Sequence, residues 1–283
     1  MTPAAQDGAF APAAKEPASD DAIVVRSLTH GFGPDGSTRV LDNVSLTVAP
    51  GEFVSLVGPS GCGKTTLLNM MEGLIAPAAG FIRVLGQPPR CGRPDLAYML
   101  ARDALLPWRT VLENAALGSE VRGIRADVRR ARARALLAEV GLDRFLNHYP
   151  KALSQGMRQR TALARTFALD SKVLLMDEPF AALDAHTKLQ LEDTLLALWQ
   201  RERRTVVFVT HDLHEAVMVS DRVVVMCARP GRIHGEVKID LPRPRAVGAL
   251  QTSQAYHALY SRVWQMLEDG TRAGRSETLG AMN

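Results

Sequence analysis

Three stretches of this chain carry residue types and spacings suited to chemistry. The first is Gly58-Pro59-Ser60-Gly61-Cys62-Gly63-Lys64-Thr65-Thr66, which fits the pattern G-x-x-x-x-G-K-[ST]. Glycines let consecutive backbone N–H groups turn inward and cradle phosphate oxygens. A helix opening at Lys64 adds its positive N-terminal dipole to that cradle. Lys64 is suited to reach the outer phosphates of a nucleotide, and the Thr65 hydroxyl to hold Mg2+. The second stretch is Val173-Leu174-Leu175-Met176-Asp177-Glu178-Pro179-Phe180, an apolar run that ends in two carboxylates. Asp177 fits a second Mg2+ contact through water, and Glu178 a base that polarises an attacking water. By itself this pair could also mark an ordinary strand-to-turn boundary. The third is Leu153-Ser154-Gln155-Gly156-Met157-Arg158-Gln159-Arg160. Ser154 is a natural helix N-cap, and the helix start behind it is a second anion site. Standing alone, this octet would be a capped surface helix.

The elements that must position these residues can be read from hydrophobic pattern. Ala22–Thr29 and Arg39–Val48 read as strands around a turn containing Gly31, Gly33, Pro34, Asp35 and Gly36, with Val40, Val44, Leu46 and Val48 on one buried face. Further strands are expected at Glu52–Val57, Phe81–Leu85, Lys172–Met176, Thr205–Val209 and Arg222–Met226. Helices are expected at Lys64–Glu72, Ala126–Val140, Ser154–Ala168, Lys188–Gln200, Leu213–Val219 and Ser253–Leu267. In Ala126–Val140 the apolar positions are Val128, Leu136, Leu137 and Val140. Continuous apolar strands alternating with helices imply a parallel sheet covered on both faces, hence an α/β fold. Residues 105–168 are helical throughout and form an insert in that core. The Met70-Met71 pair belongs to the core, and the arginines between Arg122 and Arg134 to a solvated helix face.

Composition narrows the class. The chain has 283 residues, 46% hydrophobic and 23% charged, which excludes wholesale disorder. Its net charge of +4 is too weak to argue for nucleic acid. Long uninterrupted apolar runs are absent, so no membrane-spanning helix is expected. Three cysteines without C-x-x-C spacing argue against a zinc site or a disulfide scaffold and fit a reducing compartment. Residues 1–21, rich in Ala and Pro and without the profile of a secretion signal, are expected to be a disordered tail.

The phosphate loop, the Leu-Ser-x-Gly octet, the Asp177-Glu178 pair, Ala181-Ala182-Leu183-Asp184 and Val209-Thr210-His211-Asp212 occur in an order that resembles the ATP-binding subunit of ABC transporters, over residues 22–245. Leu105-Leu106-Pro107-Trp108, Arg222–Met226, Arg229–Ile233 and Asp240–Arg245 resemble more narrowly the nitrate, taurine and alkanesulfonate importers. The resemblance implies a P-loop NTPase (RecA-like) core, a small antiparallel β subdomain and the helical insert; residues 246–283, beyond the resemblance, are expected to be a helical extension from their own pattern. The resemblance also implies ATP and Mg2+ as cofactors and two subunits paired head to tail. Ser154 and Gly156 of one copy then cap the nucleotide on the other's loop. Asp184 lies at the dimer interface, His211 contacts the γ-phosphate, and Phe32 stacks on adenine. The implied partners are transmembrane permease subunits and, indirectly, an extracytoplasmic solute-binding protein, with the chain peripheral on the cytoplasmic face of the inner membrane. A soluble ABC-type ATPase uncoupled from transport and a phosphate-loop kinase are the competing readings.

The sequence departs from the family at Ala101, where a glutamine that touches Mg2+ is usual. Alanine cannot ligate; either Arg102 or Asp103 substitutes, or the metal keeps an extra water. Gln155 replaces the usual glycine, and Ala181 a frequent serine.

Overall fold

The computed structural model describes residues 20–280 apart from 34, 35, 37, 182 and 229; side chains are described except at 249 and 273–280. The tail expected over 1–21 therefore lies outside the described residues up to position 19, as do Pro34, Asp35, Ala182 and Arg229 of the stretches quoted above.

Two sheets share one core. Strands β1 (Ile23–Phe32), β2 (Thr38–Val48) and β4 (Ala79–Val84) form an antiparallel sheet in the order β2-β1-β4. The larger sheet contains β3 (Phe53–Val57), β5 (Leu96–Met99), β6 (Val173–Asp177), β7 (Thr205–Val209), β8 (Arg222–Cys227) and β9 (Arg232–Lys238), in the order β5-β6-β7-β3-β8-β9. Its first five strands are parallel, and β9 closes the edge antiparallel to β8. Every residue of β3, β6 and β7 is buried, as their unbroken apolar runs require.

Helix α1 (Lys64–Glu72) follows β3 and stops at Gly73, which takes φ 86 as a left-handed C-cap. The insert consists of α2 (Val111–Val121), α3 (Ala126–Glu139) and α4 (Gln155–Phe167), packed on one another. A capping box, Thr110 with Glu113, starts α2. Helices α5 (Ala185–Glu202) and α6 (Leu213–Val219) return the chain to the large sheet. After β9 come a short α7 (Val247–Leu250) and the long α8 (Gln254–Gly280), which packs on α6, β8 and β9.

One core layer lies between the two sheets around Ile23, Leu28, Leu46, Leu56 and Leu67. The other covers the opposite face of the large sheet around Phe53, Phe180, Trp199 and Phe208, where Phe53 meets Trp199 edge-on at 5.5 Å. The Pro/Arg segment after β9 is pinned to this layer. Arg245 is buried and donates to the carbonyls of Met218, Ser220, Ile239 and Leu241, and Arg243 lies 4.2 Å over the Trp199 ring.

Several expectations need correction. Register shifts between β1 and β2 turn Leu41 inward, so Leu41 is buried while Val40 is half-buried. Val128 is 52% exposed; α3 buries Ala133, Leu136 and Leu137 instead. The arginine run is not uniformly solvated, because Arg122 turns inward and donates to the carbonyls of Leu169 and Leu96 and to Ser171. The last helix runs to Gly280 rather than Leu267, and β5 and β9 were not expected as strands.

Candidate functional site: a phosphate loop at the strand ends

The glycine loop connects the end of β3, near the middle of the large sheet, to α1. Ligands of open α/β sheets bind outside the carboxyl ends of the strands, and the loop stands there. Gly61 and Gly63 take φ 80 and 91, which side chains rarely tolerate. Gly63 also has no room for a side chain, since an added Cβ would stand 2.5 Å from Leu41. The Cys62 side chain points into the core, where burial pushes its thiol pKa up. The Lys64 ammonium folds back over its own loop, 2.8 Å from the Gly58 carbonyl and 3.2 Å from that of Pro59.

Thr65 follows on α1 and donates its hydroxyl to Asp177 Oδ1 at 3.1 Å. Asp177 is the last residue of β6 and is 7% exposed. Burial raises its pKa, and the neighbouring Glu178 carboxylate adds to the effect. A buried carboxylate beside a hydroxyl and a second carboxylate is a fitting place for a hard divalent cation. Glu178 takes φ 43, an unfavourable conformation for a residue with a Cβ, and its N–H is held by the Val209 carbonyl at 2.8 Å. The turn aims the carboxylate outward, where Oε2 lies 3.0 Å from Nδ1 of the exposed His211. Lys64, Thr65, Asp177, Glu178 and His211, drawn from the ends of β6 and β7 and the start of α1, thus form one cluster.

Ser154, Gly156 and Asp184 stand apart from it. Ser154 caps α4 by accepting from the Met157 N–H, and Asp184 caps α5 by accepting from the Thr187 N–H. Among the described residues, no hydrogen bond joins either side chain to the phosphate loop. The two helix starts do meet, since a Cβ on Gly156 would stand 2.6 Å from the Thr187 methyl. The buried Gln159 of α4 donates to the Pro179 carbonyl and ties this helix to the Glu178 turn. Phe32, at the end of β1, is 47% exposed; its edge contact with His30, at 5.0 Å between ring centres, leaves it open to a planar ligand.

At the Ala101 loop, Asp103 accepts from Arg158 Nε at 3.0 Å and its backbone carbonyl accepts from Arg165. Asp103 is therefore paired with α4, and Arg102 is exposed. Beside them Leu100 is 45% exposed and Trp108 71%.

Sequence reasoning missed two groups of residues. Gly231, between β8 and β9, exchanges backbone hydrogen bonds with β2 and abuts the Cys62 carbonyl. Lys188 bridges α5 to the residues around His211. A lone glycine and a lone lysine gave no signal, because their partners are distant in sequence.

Comparison with known proteins agrees with this geometry. Residues 41–181 match the ABC transporter family. An uncharacterized ABC transporter ATP-binding protein of Methanocaldococcus jannaschii is 49% identical over 79% of this chain and 84% of its own. The taurine import ATP-binding protein TauB of Pseudomonas putida is 41% identical over 76% of this chain and 82% of its own. Among solved structures, a dimeric ATP-binding cassette in a post-hydrolysis state with ADP and Pi is 31% identical; the match covers 78% of this chain and all of that one at a TM-score of 0.68. The strand-end cluster, the glycine loop and these relatives lead to one conclusion: the chain belongs to the ATP-binding proteins of ABC transporters, ATPases coupled to transport.

Proposed function

We propose that this ATPase energises an importer for a small anionic solute of the taurine, sulfonate or nitrate type. Two copies pair head to tail, each binding ATP on residues 58–66 and each presenting Ser154 and Gly156 to its twin's nucleotide, with Asp184 at the contact. The carrying observation is the pairing of Thr65 with Asp177 and of Glu178 with His211 at the rim of the glycine loop. Thr65 and Asp177 hold Mg2+, which when bound offsets phosphate charge. Glu178 accepts the proton of the attacking water, His211 contacts the γ-phosphate and steadies the Glu178 carboxylate, and Lys64 transfers from its own carbonyls to phosphate oxygens. Phe32 stacks on adenine.

ATP carries more negative charge than one loop offsets. A second helix start from the twin supplies further N–H groups and excludes water, which strengthens each contact. Cleavage divides the charge and loosens the pair, and a membrane partner turns that opening into work. Permease subunits dock on the segment from the exposed Leu100, past the half-buried Leu105, to the exposed Trp108. No described helix is long and apolar enough to cross a membrane. The place proposed for the chain is peripheral, at the cytoplasmic face of the inner membrane. The extracytoplasmic solute-binding protein acts through the permease, and nucleic acid has no part. The solute class is supported by the similarity to TauB.

Affinity purification from membranes tests the reading. Recovery of a permease with this chain, and solute-stimulated ATP hydrolysis by the reconstituted complex, is the expected result. Recovery of a soluble dimer whose hydrolysis never responds to a permease would refute it.

A further inference from the structure

Behind His211 lies a buried polar cluster that the proposed chemistry does not use. Lys188, one turn into α5, places its ammonium 2.6 Å from Asp212 Oδ2 and 2.6 Å from Glu215 Oε1, and only 17% of its side chain is exposed. Asp212 and Glu215 belong to the start of α6. The other Asp212 oxygen accepts from the N–H groups of His214 and Glu215. The second Glu215 oxygen accepts from the Thr210 hydroxyl, which in turn accepts from the Asp212 N–H. Of the residues on either side of His211, Asp212 is thus fastened to the ammonium directly and Thr210 through Glu215. That ammonium sits one turn beyond Asp184, whose carbonyl accepts from the Lys188 N–H at 3.0 Å. A short rigid path runs from the Asp184 cap to the backbone that carries His211.

We infer that Lys188 is a positioning residue for hydrolysis: it holds the Thr210–Asp212 backbone so that His211 meets Glu178, and it links that pose to the Asp184 end of α5. The inference rests on the role proposed for His211. The geometry separates this from simple charge balance. An ammonium that only neutralised Glu215 would need no second bond to Asp212, the residue that follows His211. Its bonds to both ends of the α6 start fix a direction as well as a charge.

The test uses the purified full chain, with phosphate release as the readout of turnover and calorimetric binding of a non-hydrolysable ATP analogue as the readout of affinity. Lys188→Met is expected to lower kcat at least tenfold while affinity changes less than threefold. Lys188→Arg, which can still bridge two carboxylates, is expected to recover most of the rate. Since Lys188→Met leaves Glu215 without its buried partner and risks unfolding, the paired variant Lys188→Met/Glu215→Gln removes both charges and keeps an acceptor for Thr210. A well-folded pair that stays slow supports positioning; one that returns to the parental rate overturns it and leaves charge balance as the whole role. Adding Lys188→Met to His211→Ala is expected to cost no further rate. Multiplying losses would overturn the Lys188 proposal while leaving His211 in place, whereas a fully active His211→Ala would remove the reading of His211 itself.

Discussion

Gly231→Ala perturbs the phosphate loop through its backbone, without altering any side chain proposed to meet the nucleotide. A Cβ added there would stand 2.0 Å from the Cys62 carbonyl oxygen and 2.9 Å from that of Val40. Both neighbours are backbone, so no side chain can swing aside. Reaching ordinary contact requires an opening of about 1.4 Å, since contact begins near 3.4 Å. The same residue donates to Val40 O at 2.8 Å and accepts from Asp42 N at 3.0 Å, and the opening strains both bonds. Overpacking costs ~1–3 kcal/mol, and the two hydrogen bonds ~0.5–1.5 kcal/mol each. Part of that cost appears as lower stability. The rest appears in the loop, because the Cys62 carbonyl belongs to the same peptide as the Gly63 N–H of the phosphate cradle, and a displacement of about 1 Å there costs on the order of 100-fold in function. Nucleotide affinity is expected to fall ~10- to 100-fold, or ~1.4–2.7 kcal/mol. Calorimetric titration with ATP, beside a thermal melt, measures both parts. Gly248→Ala, where an added Cβ meets nothing within 4 Å, is the matched control. A folded Gly231→Ala protein with parental affinity would refute the idea that the β8–β9 turn braces the loop.

Other variants probe the chemistry and the buried charges. Glu178→Gln keeps an acceptor for His211 but removes the base; phosphate release should slow ~100- to 10,000-fold while nucleotide still binds and a nucleotide-bound dimer builds up by light scattering. Near-parental release would remove the base assignment. Ala101→Gln occupies an exposed position, so turnover is expected to hold or rise, and a strong loss would show that the Asp103–Arg158 arrangement has replaced the usual loop chemistry. Glu192 is fully buried among Lys188, Asp212, Asp193, His214 and Glu215, and burial with those carboxylates pushes its pKa up to about 8 from 4.5. The folded state therefore keeps a proton that the unfolded chain releases. Its contribution to stability is complete below about pH 4.5 and is lost as pH rises through about 8. Glu192→Gln should flatten the fall in melting temperature between those limits, and an unchanged slope would contradict the burial argument.

Elements bounded by strong local signals are legible in the amino-acid order alone. The phosphate loop and α1 follow from glycine spacing, and β3, β6 and β7 from apolar runs that only a doubly covered strand tolerates. Strand β5 escaped because Leu96–Met99 is four residues without a β-branched member. Strand β9 escaped because Arg232–Lys238 holds only two large apolar residues, Ile233 and Val237, with Gly235 between them. Val128 misled because a periodic apolar position does not have to face the core. At the site, the Thr65–Asp177 pair was foreseeable from two separate motifs. The fastening of His211 through Lys188 was not, since the stretch of chain that separates Lys188 from Asp212, 24 positions on, carries no mark of their meeting.

The Lys64 ammonium resting on the carbonyls of Gly58 and Pro59 bears on how fast the protein can work. These two bonds close across the turn, so the protein's own cation braces the curvature of the loop. Incoming phosphate oxygens exchange places with two backbone acceptors, a trade of one set of partners for a more highly charged one. Affinity is thereby moderated at the moment of entry, which favours a cycle that must let go of its product as readily as it takes up its fuel.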